Sequence, residues 1–173
     1  MLIIDAFAFC RNGETQTGTS GLIEFHRLRA ECVSEKGELK WELAGSTGVH
    51  GYPTLQVTVD GTVQLMCQRC LTPFVFQIQS DSTIVLAKDE KVADEIEATL
   101  ENDEIEVIAA SKTFDVMALI EDEALLAIPL SPKHEVCPTK EKLDAFAIAK
   151  KESPFAALKD QIKLGKAVAK TKN

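Results

Sequence analysis

The stretch Val63-Gln64-Leu65-Met66-Cys67-Gln68-Arg69-Cys70-Leu71-Thr72-Pro73-Phe74-Val75-Phe76-Gln77-Ile78 decides the fold. Val63 and Leu65 lead in alternation towards the first cysteine, and Phe74, Phe76 and Ile78 alternate with Val75 and Gln77 after Pro73. Alternation is the period of a strand that buries one face and wets the other, so the CxxC occupies the turn of an antiparallel hairpin. A thioredoxin-like redox pair needs its second cysteine to enter a helix whose N-terminal dipole stabilises the thiolate, and the strand pattern after Cys70 removes that option. Two thiolates on a hairpin tip are instead what zinc ribbons and knuckles present to a metal.

Working outward towards the N-terminus, the same period recurs. Leu55, Val57 and Val59 alternate with Thr54, Gln56 and Thr58, and Asp60-Gly61 reads as a tight turn or a bulge. Leu39, Trp41 and Leu43 alternate with Glu38, Lys40 and Glu42, with bends expected at 45–48 and 51–53. Ile84 to Leu86 extends the strand after the CxxC, completing a meander. Further upstream, 3–11 reads as a short packed element and 12–18 as a loop. Thr19 or Ser20 can cap a short helix through Leu22, Phe25 and Leu28, or that segment is a strand. His26 and His50 have no partner at metal-ligand spacing.

Towards the C-terminus, nine acids face the single Lys91 between Asp89 and Glu106, so an acidic connector at about 88–104 is either an exposed helix or a loop. Ile105-Glu106-Val107-Ile108 reads as one more short strand. Thr113 or Asp115 then caps a helix running from Val116 to about Ile128, where Val116, Leu119, Ile120, Ala124 and Ala127 form an apolar stripe and Pro129 stops the helix. Glu121-Asp122-Glu123 reads as a charged outer face, since no histidine or nucleophile stands at a defined spacing that would make it an acid/base device. Pro129 to Cys137 forms a loop ending in His134-Glu135-Val136-Cys137. If the helix packs on the sheet, the loop returns to the hairpin tip, and Cys67, Cys70, His134 and Cys137 make a tetrahedral set for one structural zinc ion.

These pieces define an α+β fold: an antiparallel sheet that can curl into a partly closed barrel, one packed helix at about 115–128, and a C-terminal helical tail. At 173 residues and 45% apolar, the chain suits a single domain over 1–138 followed by a basic tail over 139–173, partly helical or disordered. Five cysteines, an odd number with no secretory signal at Met1-Leu2-Ile3-Ile4, argue for metal binding over a disulfide framework. With no long apolar run, a cytoplasmic protein without membrane contact is expected. The net charge of −8 is unevenly spread: from Thr139 onward nine lysines meet four acids, a balance of +5, which leaves −13 for the preceding residues. Such a body touches phosphate through its tail, where Lys159, Lys163, Lys166 and Lys170 can share one helical face after Ser153.

Three separated motifs, Met66-Cys67-Gln68-Arg69-Cys70, the run from Glu121 to His134, and Ser153-Pro154-Phe155-Ala156-Ala157-Leu158-Lys159, occur in an order that resembles the bacterial YceD family, the large ribosomal RNA subunit accumulation proteins. The resemblance implies a non-catalytic ribosome biogenesis factor that supports synthesis, processing or stability of 23S rRNA. Its implied partners are the 23S rRNA precursor or large-subunit assembly proteins, with no small-molecule substrate. Cys67 and Cys70 match the family's first cysteine pair and Cys137 a cysteine of the second cluster, with His134 where other branches offer a thiol. Arg69 and Lys133, beside the ligands, join the four tail lysines as candidate nucleic-acid or partner contacts. The competing expectation is a zinc-dependent hydrolase or nuclease acting on RNA, which requires an open coordination position and a nearby base, Glu123 or Glu135.

Overall fold

A computed structural model describes residues 2–100 and 105–138. The N-terminal segment divides in two: strand β1 (Ile3–Ile4) and helix α1 (Ala6–Asn12), with Asp5 capping the helix by accepting from the Ala8 amide at 3.0 Å. Gly13, at φ 62°, turns the chain directly into strand β2 (Thr15–Gly21), so most of the stretch expected to be a loop is sheet. A 3-10 turn over Leu22–Glu24 and a short helix α2 (His26–Glu31) follow, neither capped by Thr19 or Ser20.

Three long strands then form the meander: β3 (Glu38–Thr47), β4 (Pro53–Met66) and β5 (Pro73–Ala87). Asp60-Gly61 is neither turn nor loop end; β4 runs straight through it, pairing Gly61 with Leu39 on one side and Ile78 on the other. Strand pairing on both sides overrides the local turn signal. The glycine serves close approach instead, because a Cβ there would lie 2.4 Å from the Glu38 carbonyl oxygen.

The acidic segment after β5 is helix α3 (Glu90–Leu100), and the chain returns in strand β6 (Ile105–Ala109), parallel to β5. A parallel return needs a crossover, and α3 supplies it. The main sheet is therefore mixed, in the order β2-β3-β4-β5-β6, and its end strands do not pair with each other: it is an open sheet, and the partly closed barrel is not formed. The short β1 pairs with β7 (Phe114–Asp115), which leads into helix α4 (Val116–Leu126). Asp115 caps α4 through the Met117 and Ala118 amides, as its position suggested. The expectation of one packed helix gives way to four α-helices among the described residues.

The core lies on one face of the sheet, beneath α1, α2 and α4, with Leu39, Leu43, Leu55, Val57, Val59, Ile78, Ile84, Phe9, Leu28 and Ile120 all buried. Trp41 is buried there too, lying against Gly18, where a Cβ would come within 2.4 Å of the indole. On the opposite face α3 covers only one end, packing Ala93 and Ile96 on Val85 and Ala87. No described helix is long and apolar enough to cross a membrane. The C-terminal helical tail expected over 139–173 lies outside the described residues.

Candidate metal centre

The β4–β5 hairpin is held in register from Thr54↔Val85 to Met66↔Pro73, which puts its tip, 67–72, at the far end of a long rigid arm. There the backbone closes on itself: the Cys67 amide donates to the Thr72 carbonyl at 3.1 Å and the Leu71 amide to the Cys67 carbonyl at 2.9 Å. The tight turn forces Leu71 to φ 56°, in the left-handed region that a branched side chain occupies only at a cost. What this buys is that both cysteine side chains face inward, each buried.

Helix α4 ends at Leu126 beside the hairpin, and the loop that follows returns to the tip. The Gln68 amide donates to the Pro132 carbonyl at 2.9 Å, fastening loop to hairpin through backbone alone. His134 packs its ring on Phe74, centroids 4.9 Å apart, which orients the imidazole. The result unites the four residues singled out by their spacing: Cys67, Cys70, His134 and Cys137 bring one ligand atom each to within 4.8 Å of all the others.

The individual separations test whether an ion fits. Cys67 Sγ lies 3.8 Å from Cys137 Sγ, Cys70 Sγ 3.4 Å from His134 Nδ1, and Cys137 Sγ 4.0 Å from the same nitrogen. A tetrahedral zinc with Zn–S near 2.3 Å and Zn–N near 2.0 Å has ligand–ligand edges of about 3.5–3.8 Å. The donor set and the spacing both fit a tetrahedral metal ion.

Electrostatics point the same way. Burial raises the Cys67 thiol, but the backbone N–H groups of His134, Cys70 and Arg69, together with the His134 side chain, outweigh it and bring the group down to about 5. Burial pushes Cys137 up; Arg69 opposes this, and the neighbouring Cys70 and Cys67 add to it. Cys67 and Cys137, their sulfurs 3.8 Å apart, resist ionising together, and a divalent cation relieves that conflict. Arg69 reaches across the cluster, its Nε–H donating to Cys137 Sγ at 3.0 Å and its terminal nitrogen to the His134 carbonyl at 3.1 Å. It is thus a bond between the two halves of the cluster. Lys133 is exposed on the loop, while Lys159, Lys163, Lys166 and Lys170 lie outside the described residues.

Of the acidic triplet on α4, Asp122 keeps the expected place on the outer face and the other two depart from it. Glu121 and Glu123 are 8% and 3% exposed. Glu121 accepts from the Arg27 and Leu28 amides at 2.6 and 3.1 Å and from Arg27 Nε at 2.9 Å, so a side chain on α4 caps the start of α2. Glu123 accepts from the Ser80 and Ser82 hydroxyls at 2.7 and 2.5 Å. The signal for Glu123 was present in the sequence: it stands four residues after Leu119 and three after Ile120, on the apolar stripe itself. Nothing in the sequence pairs Glu121 with Arg27, 94 residues away.

An open mixed sheet whose long central hairpin meets a post-helix loop at a Cys3His group able to hold a metal ion defines the class of this protein, with the four residues of that group shared between two distant segments. The family described as large ribosomal RNA subunit accumulation protein YceD matches residues 55–161, which take in the hairpin, α4 and the whole cluster. The chain belongs to that family. A relative from Haemophilus influenzae carrying the same description is 31% identical over 117 residues, 61% of this chain and 66% of that protein's length. No solved structure matches the chain.

Proposed function

We propose that this protein is a non-catalytic factor that supports the accumulation of 23S rRNA, acting on the rRNA precursor or on proteins that assemble with it in the cytoplasm, and that a zinc ion held by Cys67, Cys70, His134 and Cys137 staples its central hairpin. The observation that carries the reading is family membership over the segment that contains the cluster. Zinc, when bound, supplies four coordinate bonds and no redox chemistry. The chain's own residues do the rest. The β4–β5 arm presents two thiolates, the loop returns a third with an imidazole, Phe74 fixes the ring, and Arg69 offsets negative charge on Cys137.

Four protein ligands complete a tetrahedron, which supports a structural role over a hydrolytic one, since catalysis by a bound ion needs a position left open to water or substrate. Glu123, one of the two acids that could serve as base, spends its carboxylate on Ser80 and Ser82. The basic segment 139–173, with Lys159, Lys163, Lys166 and Lys170, and the exposed Arg69 and Lys133 are the candidate phosphate or partner contacts of this reading. The purified protein is expected to co-sediment with large-subunit precursors at low salt and to be released as salt rises; co-sedimentation that ignores salt, or none, counts against contact through phosphate.

A further inference from the structure

The end strand β6 offers its outer edge to no described strand. Beside it, on the side facing α4, lies a cavity of about 460 Å³. Its walls are apolar, with Ile108, Phe114 and Leu126 among them, and Leu126 is 73% exposed. The exposed Glu106 and Asp122 also line it, together with the buried Glu123, whose carboxylate is held by the Ser80 and Ser82 hydroxyls. Asp122 is paired with Arg27 at 2.6 Å, but among the described residues no basic side chain lies within ion-pair distance of Glu106 or Glu123. Burial raises the Glu106 carboxyl, and the charges of Glu123 and Asp122 raise it further.

An unpaired edge, an apolar trough and, in Glu106, an exposed acid with no basic partner among the described residues together specify an occupant. We propose that β6 and the trough beside it bind an extended, arginine- or lysine-bearing segment of a basic protein, which adds to the sheet as a sixth strand. The added strand's main chain satisfies the edge amides and carbonyls of Ile105–Ala109. Its side chains alternate, so every second one enters the trough, where an aliphatic stem lies on Ile108 and Leu126 and the cationic head meets Glu106. RNA is the wrong occupant for this edge: its phosphates would face the exposed Glu106, which has no basic partner among the described residues. The inference stands apart from the ribosomal reading, since it concerns residues other than the Cys3His cluster and is tested without ribosomes.

The test is an NMR titration of the full chain with a capped nine-residue peptide alternating arginine and valine, beside three probes: its glutamate-for-arginine counterpart, a peptide of the same composition with the arginines grouped, and an oligouridylate. The alternating peptide is expected to shift the amides of 105–109 and to protect them from exchange. Glu106→Lys and Leu126→Glu are each expected to weaken it roughly tenfold, by charge reversal on the rim and by loss of apolar wall. Both positions are exposed, so both variants keep the fold, checked by their unshifted core amides. The proposal is overturned if the grouped peptide binds equally well, if shifts fall elsewhere on the acidic surface, if both variants bind as the parent does, or if the oligouridylate occupies 105–109 instead.

Discussion

At the scale of single residues, the cluster sets the sharpest expectations. Cys67 is wholly buried at the centre of the clasp, so Cys67→Ser removes one of four ligands and leaves a hydroxyl where a thiolate was needed. Metal content by atomic absorption should fall from one equivalent to near zero. An ion present a thousandfold above its Kd stabilises the folded state by about 4 kcal/mol, and the variant should lose that increment. A parent protein whose melting temperature ignores chelator would refute the staple. Leu71 invites the opposite change. It sits at φ 56° with 71% of its surface exposed, so Leu71→Gly relieves backbone strain while giving up little packing. A gain below about 1 kcal/mol is expected, because glycine's extra freedom in the unfolded chain offsets part of the relief; chemical denaturation measures it. The four residues of the cluster were legible because CxxC and HxxC spacings are local, whereas Arg69's bond to Cys137 was not, because it depends on how two loops meet.

At the scale of elements, α4 shows both what sequence pattern carries and where it stops. Its start at Asp115 and its apolar stripe were legible, because capping and helical period are properties of neighbouring residues. The burial of Glu121 was not: its partners are the first amides of α2, brought there by folding. Burial raises the Glu121 carboxyl, but the Leu28 amide and the Arg27 side chain and amide outweigh it and hold the group below its ordinary value. A depressed folded value means that the stabilisation is present above the unfolded value, about 4.3, and disappears as pH falls through the folded one. Glu121→Gln should therefore cost about 1–3 kcal/mol near neutrality, the worth of hydrogen bonds to a charged acceptor. The gap to the parent should close below about pH 4.3. A gap that stays constant from pH 7 to pH 3 would show that the charge on Glu121 contributes nothing. Strand β2 was missed for a related reason: Thr15-Gln16-Thr17-Gly18-Thr19 has no apolar alternation, since its inward face is Gly18 and Ser20 beneath the indole of Trp41, which also donates to Ser20 Oγ at 3.4 Å.

At the scale of the whole molecule, the α+β class and the long hairpin followed from alternation, but the connectivity of the sheet did not. The parallel β5–α3–β6 return is hidden because α3 shows few apolar residues among its acids, and its inward-facing Ala93 and Ile96 need only the small patch of Val85 and Ala87. The charge distribution has a consequence at this scale too. The sequence is strongly acidic up to residue 138 and basic after it, so the two proposals call for contacts of opposite sign to be measured separately: one with phosphate at the lysines, one with a basic peptide at the β6 edge. The central claim is that the chain supports accumulation of large-subunit rRNA, and the most direct measurement is the ratio of mature 23S to 16S rRNA in cells deprived of the protein. That ratio is expected to fall and to recover when the intact chain is restored; a ratio unchanged by the loss of the protein would contradict the account.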